Sequence, residues 1–240
     1  MKKITLCAAF AAPLLMSGFP AAAAGYGQGK ETDAQNRPTG AVSFQEAYGQ
    51  YSAYALTPDD SRIILTFDQG YENGYTAGIL DTLRDRHVSA IFFLTGDYAK
   101  REPELVRRMI AEGHMLGNHG MTHAALPSLS DKEIETEIMS LHDYMLSEYG
   151  YEMQYFRPPC GEYDARALEK ISTLGYKTLF WSAAHVDWQT DAQPEPQASL
   201  EKLTEAAHGG AMYLLHSVSA TNAEILGSLI DNLRAAGYTL

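Results

Sequence analysis

Cysteine is scarce in this sequence, and basic residues are outnumbered by acidic ones. Only two cysteines, Cys7 and Cys160, occur among 240 residues, and 18 Lys and Arg stand against 30 Asp and Glu, for a formal net charge of −12. Two cysteines cannot build the disulfide framework of a small secreted scaffold, so the fold must depend on its hydrophobic core. The negative charge argues against nucleic acid and against an anionic membrane surface as partners.

The N-terminal apolar run is short for a membrane span. It covers residues 4–15, whereas a spanning helix needs about 20 apolar residues. Lys2 and Lys3 precede the run, and small residues at 22–24 follow it. This order predicts a secretory signal peptide over residues 1–24, cleaved after about residue 24. A transmembrane anchor is the alternative, but the run lacks a stop-transfer flank, and we expect no stable membrane insertion after cleavage.

Export would change both the charge and the cysteine count. Cleavage removes two lysines and no acids, so that 18 basic residues become 16 against 30 acidic ones, a net charge of −14. It also removes Cys7, which lies inside the apolar run and not at its end, where a lipoprotein cysteine would lie. Cys160 is then the only cysteine, and no intramolecular disulfide can form. We expect an exported protein that acts in the cell envelope or outside the cell.

The rest of the composition indicates one globular domain. The apolar fraction is 45% and there are 15 tyrosines, which is typical of a packed protein, and 240 residues suit one domain. Residues 25–42 are polar and rich in glycine, and we predict a flexible leader there. Residues 43–240 are assigned to the folded domain, with a helical piece in the tyrosine-rich stretch at 43–60.

Strand and helix patterns then alternate about seven times. The predicted strands cover 63–67, 90–94, 114–117, 155–157, 177–181, 211–215 and a last one from Tyr238, and the predicted helices cover 76–86, 103–112, 130–149, 165–174, 198–207 and 222–236. This alternation predicts a parallel sheet covered by helices, either an open doubly wound sheet or a closed barrel. In both architectures the chemistry collects at the carboxyl ends of the strands.

Polar, titratable side chains follow five of these strands. They are Asp68 and Gln69, then Asn118, His119 and His123, then Arg157, then Ser182, His185 and Asp187, and finally His216. Each has an ordinary structural explanation when taken alone: Asp68 as a turn residue, Arg157 as a surface ion pair, His216 as a core histidine. Together they predict a site with a metal, a base, a partner that orients the base, and an acid.

The stretch HGMTH is the candidate metal motif. On one helical turn, residues four apart share a face, so His119 and His123 would both reach one cation. Two histidines at this spacing occur more often by chance on a protein surface than as ligands of a metal site. Their place at a strand end, beside Asn118, favours the site.

These motifs resemble a known family. TFDQG, HGMTH, RPPCG, DW and LLH have the order and spacing found in the polysaccharide deacetylases with the NodB-type catalytic domain, carbohydrate esterase family 4. Within it, TFDQGYENGYT, FFLTGDY, EGHMLGNH, FRPPCG, FWSAAHVDW and YLLHSVSATNAE are most similar to the delta-lactam-biosynthetic de-N-acetylases, which act on muramic acid in peptidoglycan. The resemblance runs from about residue 40 to the end. It implies an α/β fold, a distorted, incomplete (β/α) barrel of about seven parallel strands.

The resemblance also implies roles for single residues. It makes Asp68 the general base, Arg157 the residue that orients it, His216 the acid, Asp187 the residue that holds His216, His119 and His123 ligands of a divalent metal, and the backbone N–H of Cys160 the oxyanion donor. Zn²⁺ is the expected ion, with other divalent cations open. Tyr71, Tyr75, Pro159 and Trp188 would contact the sugar, although core packing explains the aromatic residues equally well.

Gln69 and Cys160 are the two positions at which metal ligation is uncertain from sequence. Most of the family has a second Asp after the base as a metal ligand, and Gln69 stands there instead. An amide oxygen is a weaker ligand than a carboxylate, so ligation by Gln69 is doubtful and the cation should be held less tightly. The Cys160 thiol could be a soft extra ligand, but a residue used for its backbone fits better.

The expected activity is hydrolysis of the N-acetyl group of an amino sugar in peptidoglycan glycan strands. Muramic acid on the route to muramic delta-lactam is the leading substrate, and a muramoyl amidase acting first is a further expectation. Alternatives within the enzyme class are N-acetylglucosamine in peptidoglycan, chitooligosaccharides, acetyl esters on xylan and small amides. From another class, a non-catalytic glycan-binding domain remains open, with Gln69 marking loss of the metal.

Overall fold

The computed structural model describes residues 24–240, so all but the last residue of the predicted signal peptide lies outside the described residues. The helices in this range are α1 (Thr39–Tyr48), α2 (Thr76–Asp85), α3 (Gly96–Arg101), α4 (Pro103–Ala111), α5 (Asp131–Tyr149), α6 (Ala165–Thr173), α7 (Pro196–Glu205) and α8 (Ala220–Ala235). None of them is long and apolar enough to cross a membrane.

Eight strands form one sheet. In chain order they are β2 (Ala53–Tyr54), β3 (Ile64–Gln69), β4 (Ile91–Leu94), β5 (Met115–Asn118), β6 (Tyr155–Phe156), β8 (Lys177–Leu179), β9 (Ala183–Ala184) and β10 (Met212–His216). Their spatial order is β2-β8-β6-β5-β4-β3-β10-β9, and all neighbouring pairs are parallel. Two further strands, β1 (Ala24–Gly25) and β7 (Glu162–Tyr163), pair antiparallel in a separate small sheet.

The sheet curls into an incomplete barrel. Residues 180–182 alone connect β8 to β9, although these strands lie near opposite ends of the strand order. Three residues cannot cross a flat sheet of this width, because adjacent strands lie about 4.8 Å apart and one residue spans at most about 3.6 Å. The two ends must therefore approach each other, yet β2 and β9 are not paired in the described chain. The fold implied by the resemblance is confirmed, with eight strands where about seven were expected.

Two layers of apolar side chains hold the barrel together. On the outer face of the sheet, Phe67 and Phe92 stack with ring centroids 5.1 Å apart under the helices. A separate buried cluster lies on the inner face and consists of Ile91, Phe93, Leu179 and Met212. Parallel register places Asp68 beside Phe93 and His216 beside Asp68. Because side chains alternate along a strand, Asp68 and His216 share the inner face with this cluster and lie at its carboxyl end.

The N-terminal segment differs from its prediction. Residues 25–42 were expected to be a flexible leader, but in the structure they pack against the domain: Tyr26 lies among Phe44, Phe180 and Trp181, and α1 already begins at Thr39. The prediction was based on the polar, glycine-rich composition of the segment. It was wrong because one aromatic residue, Tyr26, is enough to hold the segment against the domain.

Most predicted helices and strands occur within a few residues of their expected bounds. Ser130 and Glu133 form the expected capping box of α5. The sequence pattern missed α3, whose N-cap Thr95 accepts from the Tyr98 N–H at 3.2 Å, and the two-residue strands β2 and β9. The last predicted strand is reduced to one bridge between Thr239 and Arg62.

Candidate active site

A cleft of about 720 Å³ opens at the carboxyl ends of β3 and β10. Its lining includes most, but not all, of the predicted site residues. Those that line it are Asp68, Tyr71, His119, His123, Cys160, Trp188 and His216. The other five predicted residues do not line the cleft. Arg157 and Asp187 are fully buried behind the lining, and Gln69, Tyr75 and Pro159 are also absent from it.

Asp68 is held by a buried arginine. Its Oδ1 accepts from Arg157 Nη1 at 2.8 Å, and only 8% of Asp68 is exposed. Burial is the largest single effect and raises the pKa of this carboxyl. The charge and hydrogen bond of Arg157, together with the charges of His119 and His216, outweigh it, and the net effect lowers the pKa below its ordinary value. Asp68 is therefore an ionised carboxylate at neutral pH, at the wall of the cleft.

Arg157 is fixed on every side. Its Nε donates to the Leu179 carbonyl and Nη2 to the Phe180 carbonyl, both at 3.0 Å, and Nη1 also donates to Thr66 Oγ1 at 2.7 Å. The guanidinium carbon lies 4.1 Å from the centre of the Phe93 ring. These contacts leave the side chain little freedom, so the surface ion pair considered from sequence is excluded, and Arg157 orients Asp68 rigidly.

His119 presents one ring nitrogen to Asp68. Its Nδ1 lies 2.8 Å from the Arg157 carbonyl oxygen, so Nδ1 carries the proton and donates. Burial lowers the His119 pKa to about 4, and the ring is neutral at neutral pH. Nε2 therefore bears a lone pair, and it faces Asp68 Oδ2 at 3.5 Å.

The HGMTH stretch is not helical, contrary to the prediction from its spacing. Residues 119–124 form a bent loop in which Gly120 and His123 have positive φ angles of 87° and 62°. The loop still brings the two imidazoles together, with ring centroids 4.8 Å apart. Shared position on a helix is thus not the cause of their proximity.

Glu137 on α5 organises this loop. Its Oε1 accepts from the Thr122 N–H at 2.7 Å and the Ala124 N–H at 3.2 Å, and its Oε2 accepts from the Thr122 hydroxyl at 2.9 Å. A Cβ on Gly120 would come within 2.6 Å of Glu137 Oε1, so only glycine fits there. Sequence reasoning missed Glu137, because a carboxylate inside a helix carries no positional signal.

The donor set suits a divalent cation held by His119 and His123. Two electron-rich atoms, His119 Nε2 and Asp68 Oδ2, face each other at 3.5 Å with no proton between them, an arrangement that a cation would stabilise. No third His, Cys, Asp or Glu completes a conventional three-residue cluster within residues 24–240. Neutral imidazoles are the form in which histidine binds metals.

His216 is paired with a fully buried aspartate. Its Nδ1 lies 2.7 Å from Asp187 Oδ1, and its backbone N–H donates to Asp187 Oδ2 at 2.8 Å. Burial lowers the His216 pKa, but the hydrogen bond and the charge of Asp187 outweigh it, and the net effect raises the pKa. Asn222 Nδ2 also donates to Asp187 Oδ2, at 2.5 Å, and its Oδ1 lies 2.8 Å from His185 Nε2.

The comparisons with known proteins agree with this geometry. The family model described as polysaccharide deacetylase matches residues 55–179. The chain is 40% identical over 192 residues to the peptidoglycan-N-acetylmuramic acid deacetylase PdaA of Bacillus subtilis, covering 79% of this chain and 73% of that protein. This chain belongs to the polysaccharide deacetylase family.

Solved structures of the same family superpose over almost the whole chain. The structure of Bacillus subtilis PdaA, a family 4 carbohydrate esterase, matches with a TM-score of 0.86 and 36% identity over 92% of this chain and 95% of that one. A family 4 carbohydrate esterase from Bacillus anthracis matches with a TM-score of 0.75 and 33% identity over 91% and 92%. The chain is thus a deacetylase-family hydrolase.

Cys160 has an unusual backbone conformation in the turn at the cleft of this deacetylase. Cys160 has φ 55°, in the left-handed region that costs a residue with a side chain roughly 1 kcal/mol. Cys160 is exposed, yet partial burial of its thiol, followed by the charge of Glu162, raises the thiol pKa. A protonated thiol is a poor metal ligand, which favours a role for the backbone of Cys160. Pro159 is buried within the turn and is not part of the cleft lining, and its sugar contact stays a prediction.

Exposed aromatic side chains flank the deacetylase cleft. Tyr71 is 52% exposed and Trp188 48% exposed, and both line the opening. Tyr75 does not, because it precedes α2 and packs against the hydrophobic core. Trp181 also lines the cleft and was missed, since in the sequence it reads as the end of a buried strand.

Gln69 lies apart from the cleft lining. As the residue after Asp68 in β3 it faces the other side of the strand, is fully buried, and donates through Nε2 to Ser217 Oγ. Its Oε1 is buried without a hydrogen-bond partner. A metal-ligand role for Gln69 stays a prediction, and the two imidazoles are the ligands that the geometry favours.

Proposed function

We propose that this protein removes the acetyl group from N-acetylmuramic acid residues in peptidoglycan glycan strands. The observation that carries the proposal is an ionised carboxylate, Asp68, and an imidazole with a raised pKa, His216, on adjacent strands at one cleft. A base and an acid on two sides of one bound group are what amide hydrolysis requires. The 40% identity to an N-acetylmuramic acid deacetylase supports this substrate.

Asp68 acts as the base. Its carboxylate is kept ionised by Arg157 and is free at Oδ2 to accept a proton from water placed between it and the acetyl carbon. A divalent cation at His119 and His123, with zinc as the expected ion, supplies Lewis-acid chemistry when bound, polarising the carbonyl and lowering the pKa of water. The backbone N–H of Cys160 donates to the oxygen that gains negative charge.

His216 acts as the acid. Its imidazolium, stabilised through Nδ1 by Asp187, gives the Nε2 proton to the sugar nitrogen as the carbon–nitrogen bond breaks. Water and amide become acetate and a free sugar amine. On muramic acid this amine can attack the lactyl carboxyl and close a lactam with loss of water, which is the proposed route to muramic delta-lactam. Tyr71 and Trp188 offer aromatic faces for the neighbouring sugars.

The deciding experiment is mass spectrometry of peptidoglycan fragments treated with the protein. Loss of acetyl from the muramic acid residue is the expected result. A subsequent loss of water would show that the lactam has also closed. Fragments with and without the peptide stem test whether a muramoyl amidase must act first. Unchanged fragments in the presence of zinc would leave a glycan-binding role as the better explanation.

N-acetylglucosamine is the second candidate substrate. A peptidoglycan-N-acetylglucosamine deacetylase of Bacillus cereus is 30% identical over 205 residues, 84% of this chain and 90% of that protein. The same fragments separate the two candidates, because the fragment ions show which sugar loses its acetyl group. Export to the cell envelope or beyond, where these strands lie, is part of the proposal.

A further inference from the structure

The N-terminal strap, residues 25–28, makes two sets of contacts with walls of the cleft. Its first set fixes the turn that carries Cys160. Gly25 pairs with Glu162, and the Tyr26 N–H donates to the Gly161 carbonyl at 2.8 Å. Gly161 directly follows Cys160, so the strap holds the turn at the residue next to Cys160.

The second set fixes Trp181. The Tyr26 hydroxyl donates to the Trp181 carbonyl at 2.5 Å, and Trp181 Nε1 donates to Gln28 Oε1 at 2.9 Å. The Tyr26 and Trp181 rings meet edge to face with centroids 5.0 Å apart. Both the backbone and the indole of Trp181 are therefore held by the strap.

The two fixed groups touch each other inside the cleft wall. A Cβ on Gly161 would come within 2.8 Å of Trp181 Cη2 and 3.5 Å of Tyr26 Cβ, so the turn, the indole and the strap are in close contact. The residue before Trp181 continues the chain of contacts, since the Phe180 carbonyl accepts from Arg157 Nη2, and Arg157 holds Asp68.

We propose that the N-terminal strap is a positioning element of the active site. It sets the direction of the Cys160 N–H and the place of the Trp181 ring, and neither Tyr26 nor Gln28 touches the reacting atoms. Cys160 adopts a left-handed backbone that is unfavourable for a side-chain-bearing residue, and the pairing of the strap with residues 161–162 holds it there. This inference rests on the proposed function for its kinetic consequence only.

The test uses two substitutions in the whole protein, made singly and together as a double variant. Tyr26→Phe removes only the hydroxyl, and Gln28→Leu removes only the acceptor of the Trp181 N–H while keeping the size. We expect kcat for acetyl release to fall about tenfold in the double variant, with a smaller change in KM, since complete loss of an oxyanion donor costs about 10²–10³ in kcat. Gln28→Glu keeps an acceptor oxygen and should restore most of the loss of Gln28→Leu.

Asn36→Ala is the matched control. Asn36 ties the same N-terminal region to the Glu205 and Ala207 carbonyls at 3.0 Å and 2.9 Å, without contact to the turn or Trp181. It should lower stability comparably and leave kcat unchanged. Equal kcat in the double variant and the unmodified protein would overturn the proposal, as would an equal loss of kcat in Asn36→Ala.

A second readout does not depend on the activity. The sequence has two tryptophans, Trp181 and Trp188, so Trp188→Phe leaves Trp181 as the single tryptophan, whose emission is excited selectively at wavelengths that tyrosine does not absorb. In that background, Tyr26→Phe with Gln28→Leu should shift Trp181 emission to longer wavelength and increase its quenching by acrylamide. Unchanged emission would overturn the strap's role. If the unmodified protein leaves the peptidoglycan fragments unchanged while the double substitution shifts Trp181 emission, the proposed function is refuted and the structural role of the strap stands.

Discussion

At the scale of single residues, Asp68 and Arg157 are unequal partners. Asp68 contacts the cleft, whereas Arg157 is fully buried and also donates to Thr66, Leu179 and Phe180. Loss of the Asp68 charge removes a reacting group, but loss of the Arg157 guanidinium leaves a buried carboxylate and two carbonyls without donors. Substitution of Asp68 should therefore affect mainly the reaction, and substitution of Arg157 mainly the stability of the fold.

Asp68→Asn should abolish turnover and keep the fold. The amide cannot take a proton from water, so we expect a loss of about 10²–10⁴ in kcat. The three other acceptors of Arg157 still hold its side chain. Steady-state kinetics and circular dichroism check this expectation, and a variant that keeps its activity would refute the assignment of Asp68 as base.

Arg157→Leu should instead destabilise the whole protein. Leaving one member of a buried ion pair costs about 3–5 kcal/mol, which is a large part of the stability of an ordinary domain. Urea denaturation measures the change. Arg84→Leu, at a guanidinium that is 53% exposed and pairs with Asp81 and Asp85 on the surface, is the control and should cost less than about 1 kcal/mol. Equal costs at the two positions would contradict the buried role of Arg157.

Asp187→Asn should move the alkaline side of the pH–activity profile. The hydrogen bond and charge of Asp187 raise the pKa of His216 against the effect of burial, so His216 stays protonated to a higher pH. An acid works only below its pKa, and activity is lost as pH rises through that raised value. Without the Asp187 charge the His216 pKa falls, and the loss should begin at lower pH.

The kinetic measurement is kcat/KM against pH. Asp85→Asn, at a surface carboxylate, should leave the profile unchanged. An alkaline limb in the same place for Asp187→Asn and the unmodified protein would mean that another group, not His216, is the acid.

At the scale of elements, the loop of residues 119–124 depends on a helix distant from it in sequence. Glu137 on α5 accepts two backbone N–H groups and a hydroxyl of the loop. This support compensates for the unfavourable left-handed backbone of His123, whose φ is 62°. The spacing of the two histidines in the sequence is therefore not what places them together.

Glu137→Ala should weaken zinc binding by about 10–100-fold, the usual effect of losing a group that orients metal ligands. Glu137→Gln is the matched control, because its amide keeps one acceptor oxygen for the N–H groups and can donate to the Thr122 hydroxyl. Competition with a chelating dye measures both affinities without any assay of activity. Equal affinities of Glu137→Ala and the unmodified protein would refute the role of Glu137.

The elements also show what could be predicted from sequence and what could not. The strands β3, β4 and β10 have dense apolar patterns and were predicted within two residues of their bounds. The strands β2 and β9 have two residues each, too few for any periodicity, and owe their pairing to the curl of the sheet. Contacts that join distant elements, such as Glu137 to Thr122 or Tyr26 to Trp181, leave no pattern in either segment.

At the scale of the whole molecule, metal binding should raise thermal stability. An ion that binds only the folded state stabilises it by RT ln(1 + [L]/Kd), about 2.7 kcal/mol at a free concentration of 100 Kd. We therefore expect added zinc to raise Tm and prolonged chelation to lower Tm and abolish activity. His119→Ala with His123→Ala should remove the shift, whereas His87→Asn, at an exposed histidine, should keep it. A Tm that is the same with zinc and with chelator would refute the metal site.

The overall architecture was accessible from sequence because it depends on many residues at once. Alternating strands and helices predicted the parallel sheet, and the motif order predicted the incomplete barrel. The position of Asp68, His119, Arg157 and His216 at one end follows from the rule that strand ends meet. The packing of residues 24–42 was inaccessible, since it depends on a few aromatic contacts and not on composition.

Arg157 has one more consequence. Its carbonyl oxygen holds the ring of His119 while its guanidinium holds Asp68, so a single residue fixes the separation of the imidazole and the carboxylate. Arg157 directly follows β6 and is fully buried. The separation of the two groups therefore depends on the sheet and not on the side chains at the opening of the cleft.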